Sequence, residues 1–151
     1  MTKEMKATFD LNSFLPYTLN NIATQMSEQF SELYQSQFDL TVPQWRIIAN
    51  LAQYGQLSAK SLCDLAHMDK STVSRAVKRL LERDIISAQS DPLDKRATLL
   101  SLTRDGSDMV EKISPVALDW QAEMLKDIDE HEYENFISTL NKVYDSLNKN
   151  V

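Results

Sequence analysis

Glycine, cysteine and long apolar runs are scarce in this chain of 151 residues, and each scarcity excludes a class of protein. Gly55 and Gly106 are its two glycines, which argues against a Gly-rich phosphate loop and against a turn-rich β fold. Cys63 is the single cysteine, so no intrachain disulfide can form. No apolar run approaches the ~18 residues that span a bilayer, and the N-terminal "MTKEMKATFD" lacks the apolar stretch of a signal peptide. We therefore expect a soluble, cytoplasmic, single-domain protein without a membrane partner.

Residue patterns that mark enzymes and metal sites are also missing. His67 and His131 lie far apart in the sequence and are too few to suggest a metal site. No nucleophile stands in a recognisable pattern with a general base. We predict that the protein is not an enzyme and binds no metal or cofactor.

The charge is unevenly distributed along the chain. Residues 60–104 carry nine basic and six acidic side chains, a net charge of +3, whereas the remainder carries −9. A basic middle between acidic ends is typical of a nucleic-acid-binding face on a body that repels DNA elsewhere. Charge alone leaves a second interpretation equally open, namely a solvated surface helix.

Apolar periodicity and helix-capping residues predict a mainly α-helical chain. The predicted helices are residues 11–37, a shorter helix that begins near Pro43 and ends at Gly55, one capped by Ser58, residues 70–83, one capped by Thr103 that continues to about 127 with a bend or break at Pro115, and residues 130–148.

Two short strand candidates follow the fourth helix. They are "IISAQS" and "ATLLSL", with Ile86, Leu100 and Leu102 as inward positions, and the polar turn "DPLDKR" joins them. Two helices across the tight turn "HMD", followed by a hairpin, predict a winged helix-turn-helix with a two-stranded wing.

The first and last helices each have a wide apolar face that the middle of the chain does not obviously cover. We expect these helices to pack on each other and on a second copy of the chain. An intrachain helical bundle is the alternative.

Two stretches resemble the MarR family of bacterial transcriptional regulators. "LxxLAxMDKSTVSRAVKRLLERDII" is similar to the third and fourth helices of that family. "DPxDxR…LSLTxxG" is similar to its wing and the start of the next helix; the matching residues are Asp91, Pro92, Asp94, Arg96, Leu100, Leu102, Thr103 and Gly106.

The resemblance implies one MarR-like domain over residues 1–151. Its winged-helix DNA-binding part would cover about 44–103, and its dimerisation helices about 11–37 and 104–148. The fourth helix would enter the major groove of a pseudo-palindromic operator and the wing the adjacent minor groove. Many members of the family are repressors released by a small phenolic or aromatic acid, and others respond to cysteine oxidation.

The predicted DNA contacts follow from the recognition helix and the resemblance. Arg75 is the candidate for bidentate bonding to guanine and matches a base-reading position of the family. Ser71 fits either DNA contact or simple capping, and Arg83 either phosphate contact or a solvated or ion-paired state. The other candidates, mostly for phosphate contact, are Ser58, Lys60, Lys70, Thr72, Ser74, Lys78 and Arg79.

In the wing, Arg96 resembles the family arginine that reaches into the minor groove. We expect Asp94 to orient its guanidinium through charge-assisted bonds, and Lys95 to add nonspecific attraction. The sequence departs from the family after the recognition helix. Ala88 and Gln89 stand where an arginine is common, and Asp84 stands where a glycine is common.

Four residues are predicted to line an effector cavity: Tyr17, Trp45, Arg46 and Trp120. Arg46 follows Trp45 in a mostly apolar helix, and a partly buried guanidinium needs an anion, either a ligand carboxylate or an acidic side chain of the protein. A repressor that senses oxidation at Cys63, or a winged-helix module that binds protein and reads no DNA, are the alternative functions.

Overall fold

The computed structural model describes residues 8–149, and these contain six α-helices at about the positions that the sequence predicted. The helices are α1 (Leu15–Phe38), α2 (Val42–Tyr54), α3 (Ala59–Ala66), α4 (Lys70–Glu82), α5 (Arg104–Met124) and α6 (Glu130–Asn148), with a short 3-10 turn at Leu11–Ser13. The chain divides into two compact units, the first ending at Ser114 and the second beginning at Pro115.

Local capping explains where the helices of the first unit begin and end. Thr41 and Gln44 form a reciprocal capping box at the start of α2, and Gly55 ends that helix with φ of 81°. Ser58 accepts a hydrogen bond from the backbone N–H of Ser61 at the start of α3. The predicted roles of Gly55 and Ser58 are confirmed.

The small sheet has three antiparallel strands, β1 (Leu57–Ser58), β2 (Ile86–Ser90) and β3 (Thr98–Leu102), in the order β1-β3-β2. The predicted two-stranded wing is the β2–β3 hairpin, in which Ile86 pairs with Leu102 and Ser90 with Thr98. The sequence did not predict β1, because two residues are too few to show a strand period.

The core of the first unit lies beneath α4. Val73, Ala76 and Leu80 of α4 are buried, and they belong to one cluster with Ile47 and Ile48 of α2. The apolar positions of α4 recur at spacings of three and four, so one face of the helix is fixed in the core. The opposite face of α4 is therefore turned to solvent.

α5 differs from the prediction at Pro115. The helix runs without interruption from Arg104 to Met124, so the predicted break at this proline is wrong, while the alternative of a bend stays a prediction. A proline inside a helix removes one N–H donor. The side chain of Ser114, the residue before the proline, donates to the carbonyl of Val110 at 2.7 Å.

Candidate nucleic-acid interface

The exposed face of α4 carries half of the predicted DNA contacts, while the buried residues of the same helix are all apolar. The predicted contacts that are exposed on this helix are Lys70, Ser71, Ser74, Arg75, Lys78 and Arg79. Such a surface of hydroxyls and cations on one helix suits contact with phosphates and base edges.

Asp69 is the N-cap of α4, and Thr72 is the residue whose hydroxyl bonds to it. The Asp69 carboxylate accepts hydrogen bonds from the backbone N–H of Thr72 at 2.8 Å and from the Thr72 hydroxyl at 2.9 Å. Ser71, in contrast, is exposed and does not take part in the cap. The Thr72 hydroxyl is therefore used in the cap, whereas the Ser71 and Ser74 side chains are exposed on the outer face of the helix.

The same cap makes folding sensitive to acid. The two hydrogen bonds from Thr72, and then the nearby charge of Arg75, lower the pKa of Asp69 below its ordinary value of 3.8. A carboxyl with a depressed folded-state pKa contributes stability that is complete above 3.8 and is lost as the pH falls through the folded-state value.

We expect Asp69→Asn to remove this part of the acid sensitivity. Asparagine caps helices about as well as aspartate but does not titrate. The melting temperature of the wild-type protein should therefore fall further than that of Asp69→Asn between roughly pH 6 and pH 3, where carboxyls titrate. A melting-temperature difference that stays constant over this range would contradict the assignment.

One side of α4 forms a cleft with the start of α2. The cleft has a volume of about 480 Å³, and three arginines spaced four residues apart, Arg75, Arg79 and Arg83, contribute to its wall. Arg79 also lies 3.7 Å from Glu82 in an exposed ion pair, which contributes little to stability.

The Arg83 guanidinium bonds to the backbone at the end of another helix. Its Nη1 donates to the carbonyl of Asp39 at 2.6 Å and its Nη2 to the carbonyl of Phe38 at 3.0 Å. These carbonyls end α1, more than 40 residues away in the sequence, so the guanidinium is neither simply solvated nor paired with a carboxylate of the described residues. The sequence carried no signal for this contact. The predicted phosphate contact of Arg83 stays a prediction.

The other side of α4 forms a second cleft of about 530 Å³ with the start of α3. Lys60 and Lys70 come together at this cleft, with Ser74 beside them and half-buried Cys63 in the wall. The Ser58 hydroxyl lies at the same helix start but accepts the capping bond from Ser61.

The wing tip is ordered by bonds between carboxylates and the backbone. Asp91 accepts from the N–H of Leu93 at 2.8 Å, and Asp94 from the N–H of Arg96 at 3.0 Å. The expected charge-assisted bond from the Arg96 guanidinium to Asp94 is absent among the described residues, so that prediction is wrong. Asp94 shapes the backbone of the tip, and the side chains of Lys95 and Arg96 remain exposed.

Thr103 and Gly106 join the wing to α5. The Thr103 hydroxyl donates toward the carbonyls of Asp84 and Ile85, at 2.6 and 3.0 Å, and accepts from the N–H of Gly106 at 3.1 Å. This confirms Thr103 as the cap of α5. A Cβ at Gly106 would lie 2.1 Å from the carbonyl oxygen of Ile85, which explains the glycine of the "LTxxG" pattern.

Comparison with known proteins decides the family. A family model described as MarR family matches residues 38–97. The crystal structure of a MarR family regulator from Silicibacter pomeroyi matches with 31% sequence identity and a TM-score of 0.79, and the match covers 90% of each chain. The chain belongs to the MarR family of transcriptional regulators.

Two further relatives show how widely the likeness extends. YwoH of Bacillus subtilis, an uncharacterised helix-turn-helix transcriptional regulator, is 26% identical over 83% of this chain and 90% of its own. A mutant MarR from Escherichia coli, solved in complex with operator DNA, shares the fold with a TM-score of 0.76, 22% identity, and coverage of 90% of this chain and 99% of its own.

The residues predicted to line a MarR-type effector cavity differ in burial and in their neighbours. Trp45 is half-buried and stacks on Tyr34, with ring centroids 5.5 Å apart, and its edge packs against Phe30. Tyr17 is exposed on α1, and half-buried Trp120 belongs to the second unit.

Arg46 is exposed, not partly buried as expected. Its Nη2 donates to the Ser27 hydroxyl at 3.3 Å, and no carboxylate of the described residues lies within 4.0 Å of it. It lies at a cleft of about 360 Å³ on α1, lined also by Asn20, Ala23, Thr24, Ser27 and Glu28. Burial raises the pKa of Tyr34 above its ordinary value, and the positive charge of Arg46 offsets part of this increase.

Other kinds of site find no support in the part of the chain that the structure describes. Within residues 8–149, no three His, Cys, Asp or Glu side chains are grouped as metal ligands. No helix over the same range is long and apolar enough to cross a membrane.

Proposed function

We propose that this MarR family member is a cytoplasmic, homodimeric repressor that binds a pseudo-palindromic DNA operator. The single observation that carries the proposal is the geometry of α4. Its apolar face is fixed in the core, while Ser71, Ser74, Arg75, Lys78 and Arg79 form the outward face. In helix-turn-helix proteins the N-terminal part of this helix contacts base edges in the major groove.

In this proposal α4 and the wing contact different grooves of the DNA. Arg75 reads a base edge, and Lys78 and Arg79 hold phosphates. Arg96 enters the neighbouring minor groove from a wing tip whose backbone Asp94 holds, with Lys95 adding attraction. Lys60 and Lys70 complete the phosphate-facing rim at the starts of α3 and α4, where Ser58 and Thr72 contribute by fixing the helix starts through their capping bonds. The MarR from E. coli that was solved with operator DNA has this fold.

Exposed apolar side chains at both ends of the chain support a dimer. In the first unit they include Leu15, Ile22 and Met26 of α1. In the second unit, Phe136, Tyr144 and Leu147 of α6 are 54%, 65% and 76% exposed in the single chain. Large apolar side chains on a regular helix face mark a protein contact. We assign residues 11–37 and 104–148 to dimerisation and residues 44–103 to DNA binding.

Selection from a library of random-sequence duplexes tests the proposal. We expect the wild-type protein to enrich two related half-sites about one helical turn apart and to run as a dimer in light scattering. Affinity should fall steeply with salt, because bound phosphates release counterions. Failure to enrich any sequence, together with salt-insensitive binding to a protein partner, would instead identify a protein-interaction module.

A small aromatic carboxylate or phenolic acid is the proposed releasing ligand, and Arg46 its anchor. The supporting observation is an exposed guanidinium without a carboxylate partner among the described residues, at a cleft. We expect an aromatic carboxylate to raise the melting temperature of the wild-type protein and not that of Arg46→Ala. If no acid in a panel shifts the wild type, Arg46 serves structure alone, and oxidation of Cys63 becomes the next switch to test.

A further inference from the structure

The segment that follows α4, the proposed recognition helix, is hydrogen-bonded to the end of α1 and to the start of α5. The Arg83 guanidinium bonds to the last carbonyls of α1, and the carbonyls of Asp84 and Ile85 accept from Thr103 at the start of α5. These bonds join positions that are 18 to 45 residues apart in the sequence. The C-terminal end of α4 is therefore connected to α1 on one side and to α5 on the other.

Arg83 supplies a charge that α1 itself lacks. The last turn of α1 contains no basic residue, and the backbone carbonyls at a helix C-terminus carry partial negative charge. A guanidinium satisfies two of these carbonyls at once because its N–H groups form a rigid fork. Arg83 thus supplies, from the end of α4, the positive charge that is favourable at the C-terminus of α1.

We infer that Arg83 is a positioning residue that sets the placement of the recognition helix relative to α1, and so the half-site spacing that the dimer accepts. The inference rests on the proposed function. The buried residues Val73, Ala76 and Leu80 fix which face of α4 is turned inward. The fork at Arg83 holds the far end of the helix against the end of α1. Since α1 is a proposed dimerisation helix, this bond links the position of each α4 to the dimer.

Half-site spacing supplies a readout that a merely structural residue would not change. The experiment uses the full-length dimer, the duplex that the wild-type protein selects, and two further duplexes with one base pair inserted or removed between the half-sites. Affinities are measured by fluorescence anisotropy at several salt concentrations. The variants are Arg83→Gln and Arg83→Lys, with Lys149→Gln as the matched loss of one positive charge on an exposed side chain outside the residues assigned to DNA binding and dimerisation.

We expect Arg83→Gln to weaken binding to the selected duplex about tenfold, while binding to the altered spacings changes by less than about twofold. The preference for one spacing would then largely disappear, with the salt slope unchanged. Arg83→Lys should recover part of the preference, because an ammonium can bond one of the two carbonyls. Lys149→Gln should leave the preference between spacings as it is in the wild type.

Other results would overturn the inference. Equal weakening on all duplexes, with a salt slope smaller by about one per protomer, would make Arg83 a phosphate contact. Unchanged affinities with a lower melting temperature would make it a structural cap. If Arg83→Gln fails to fold, an Arg83→Lys protein that keeps the full spacing preference and the full affinity also overturns it. A wild-type protein that selects no sequence refutes the proposed function itself.

Discussion

Replacing Arg75 with alanine is expected to weaken binding to the selected duplex by about 30-fold or more, with a smaller effect on random DNA. A bidentate bond between arginine and guanine contributes about 1–3 kcal/mol of discrimination against other bases, and the dimer makes the contact in both half-sites. Arg75 is exposed in the second turn of α4, where such contacts are made. Titration of the variant against the selected duplex and its single-base substitutions measures the effect.

Lys78→Ala is the matched control for Arg75→Ala. Lys78 is exposed on the same face one turn later, where we expect phosphate contact. Its loss should weaken all duplexes alike and reduce the salt slope by about one per protomer. Arg75→Ala should instead relax the preference at a defined base pair. If both variants behaved alike, Arg75 would be a phosphate contact, and base reading would fall to another residue.

Gly106→Ala is expected to be the most destabilising single substitution proposed for this protein. The added Cβ would lie 2.1 Å from the carbonyl oxygen of Ile85, a distance at which the backbone has to move. That carbonyl also accepts hydrogen bonds from the N–H and the hydroxyl of Thr103, both at 3.0 Å. Moving it breaks the junction between the wing and α5. We expect a loss of about 3 kcal/mol or more, seen as a melting temperature lower by roughly 10 °C.

Gly55→Ala provides the control for this prediction. Gly55 has a positive φ of 81°, but a Cβ there would meet no atom within 4 Å. With ψ of −126° Gly55 lies outside the αL region, in a conformation that side chains rarely adopt, so alanine there costs about 1–3 kcal/mol through local strain alone. The comparison separates strain from collision. Equal melting temperatures of the two variants would show that the approach of Gly106 to Ile85 is not tight in solution.

Features that depend on neighbours in the sequence were predictable from the sequence. The caps at Ser58 and Thr103 and the end of α2 at Gly55 were predicted, since each depends on residues within one turn. The outward face of α4 follows from its helical period. The hairpin follows from two apolar runs around the polar turn "DPLDKR". These local signals, together with the wing pattern, were enough for the fold and the family.

Effects of distant residues were visible only in the tertiary structure. Trp45 was expected at a cavity but stacks on Tyr34 of another helix. Asp94 was expected to hold a side chain but holds the backbone of the wing tip. β1 becomes a strand only because Leu57 meets Leu100 across the sheet. The Arg83 fork joins residues 44 and 45 positions apart. The sequence by itself determined which face of α4 is turned to solvent, because helical period and capping are local. The tertiary structure decided how that helix is held, because carbonyl partners far along the chain leave no pattern in the residues around it.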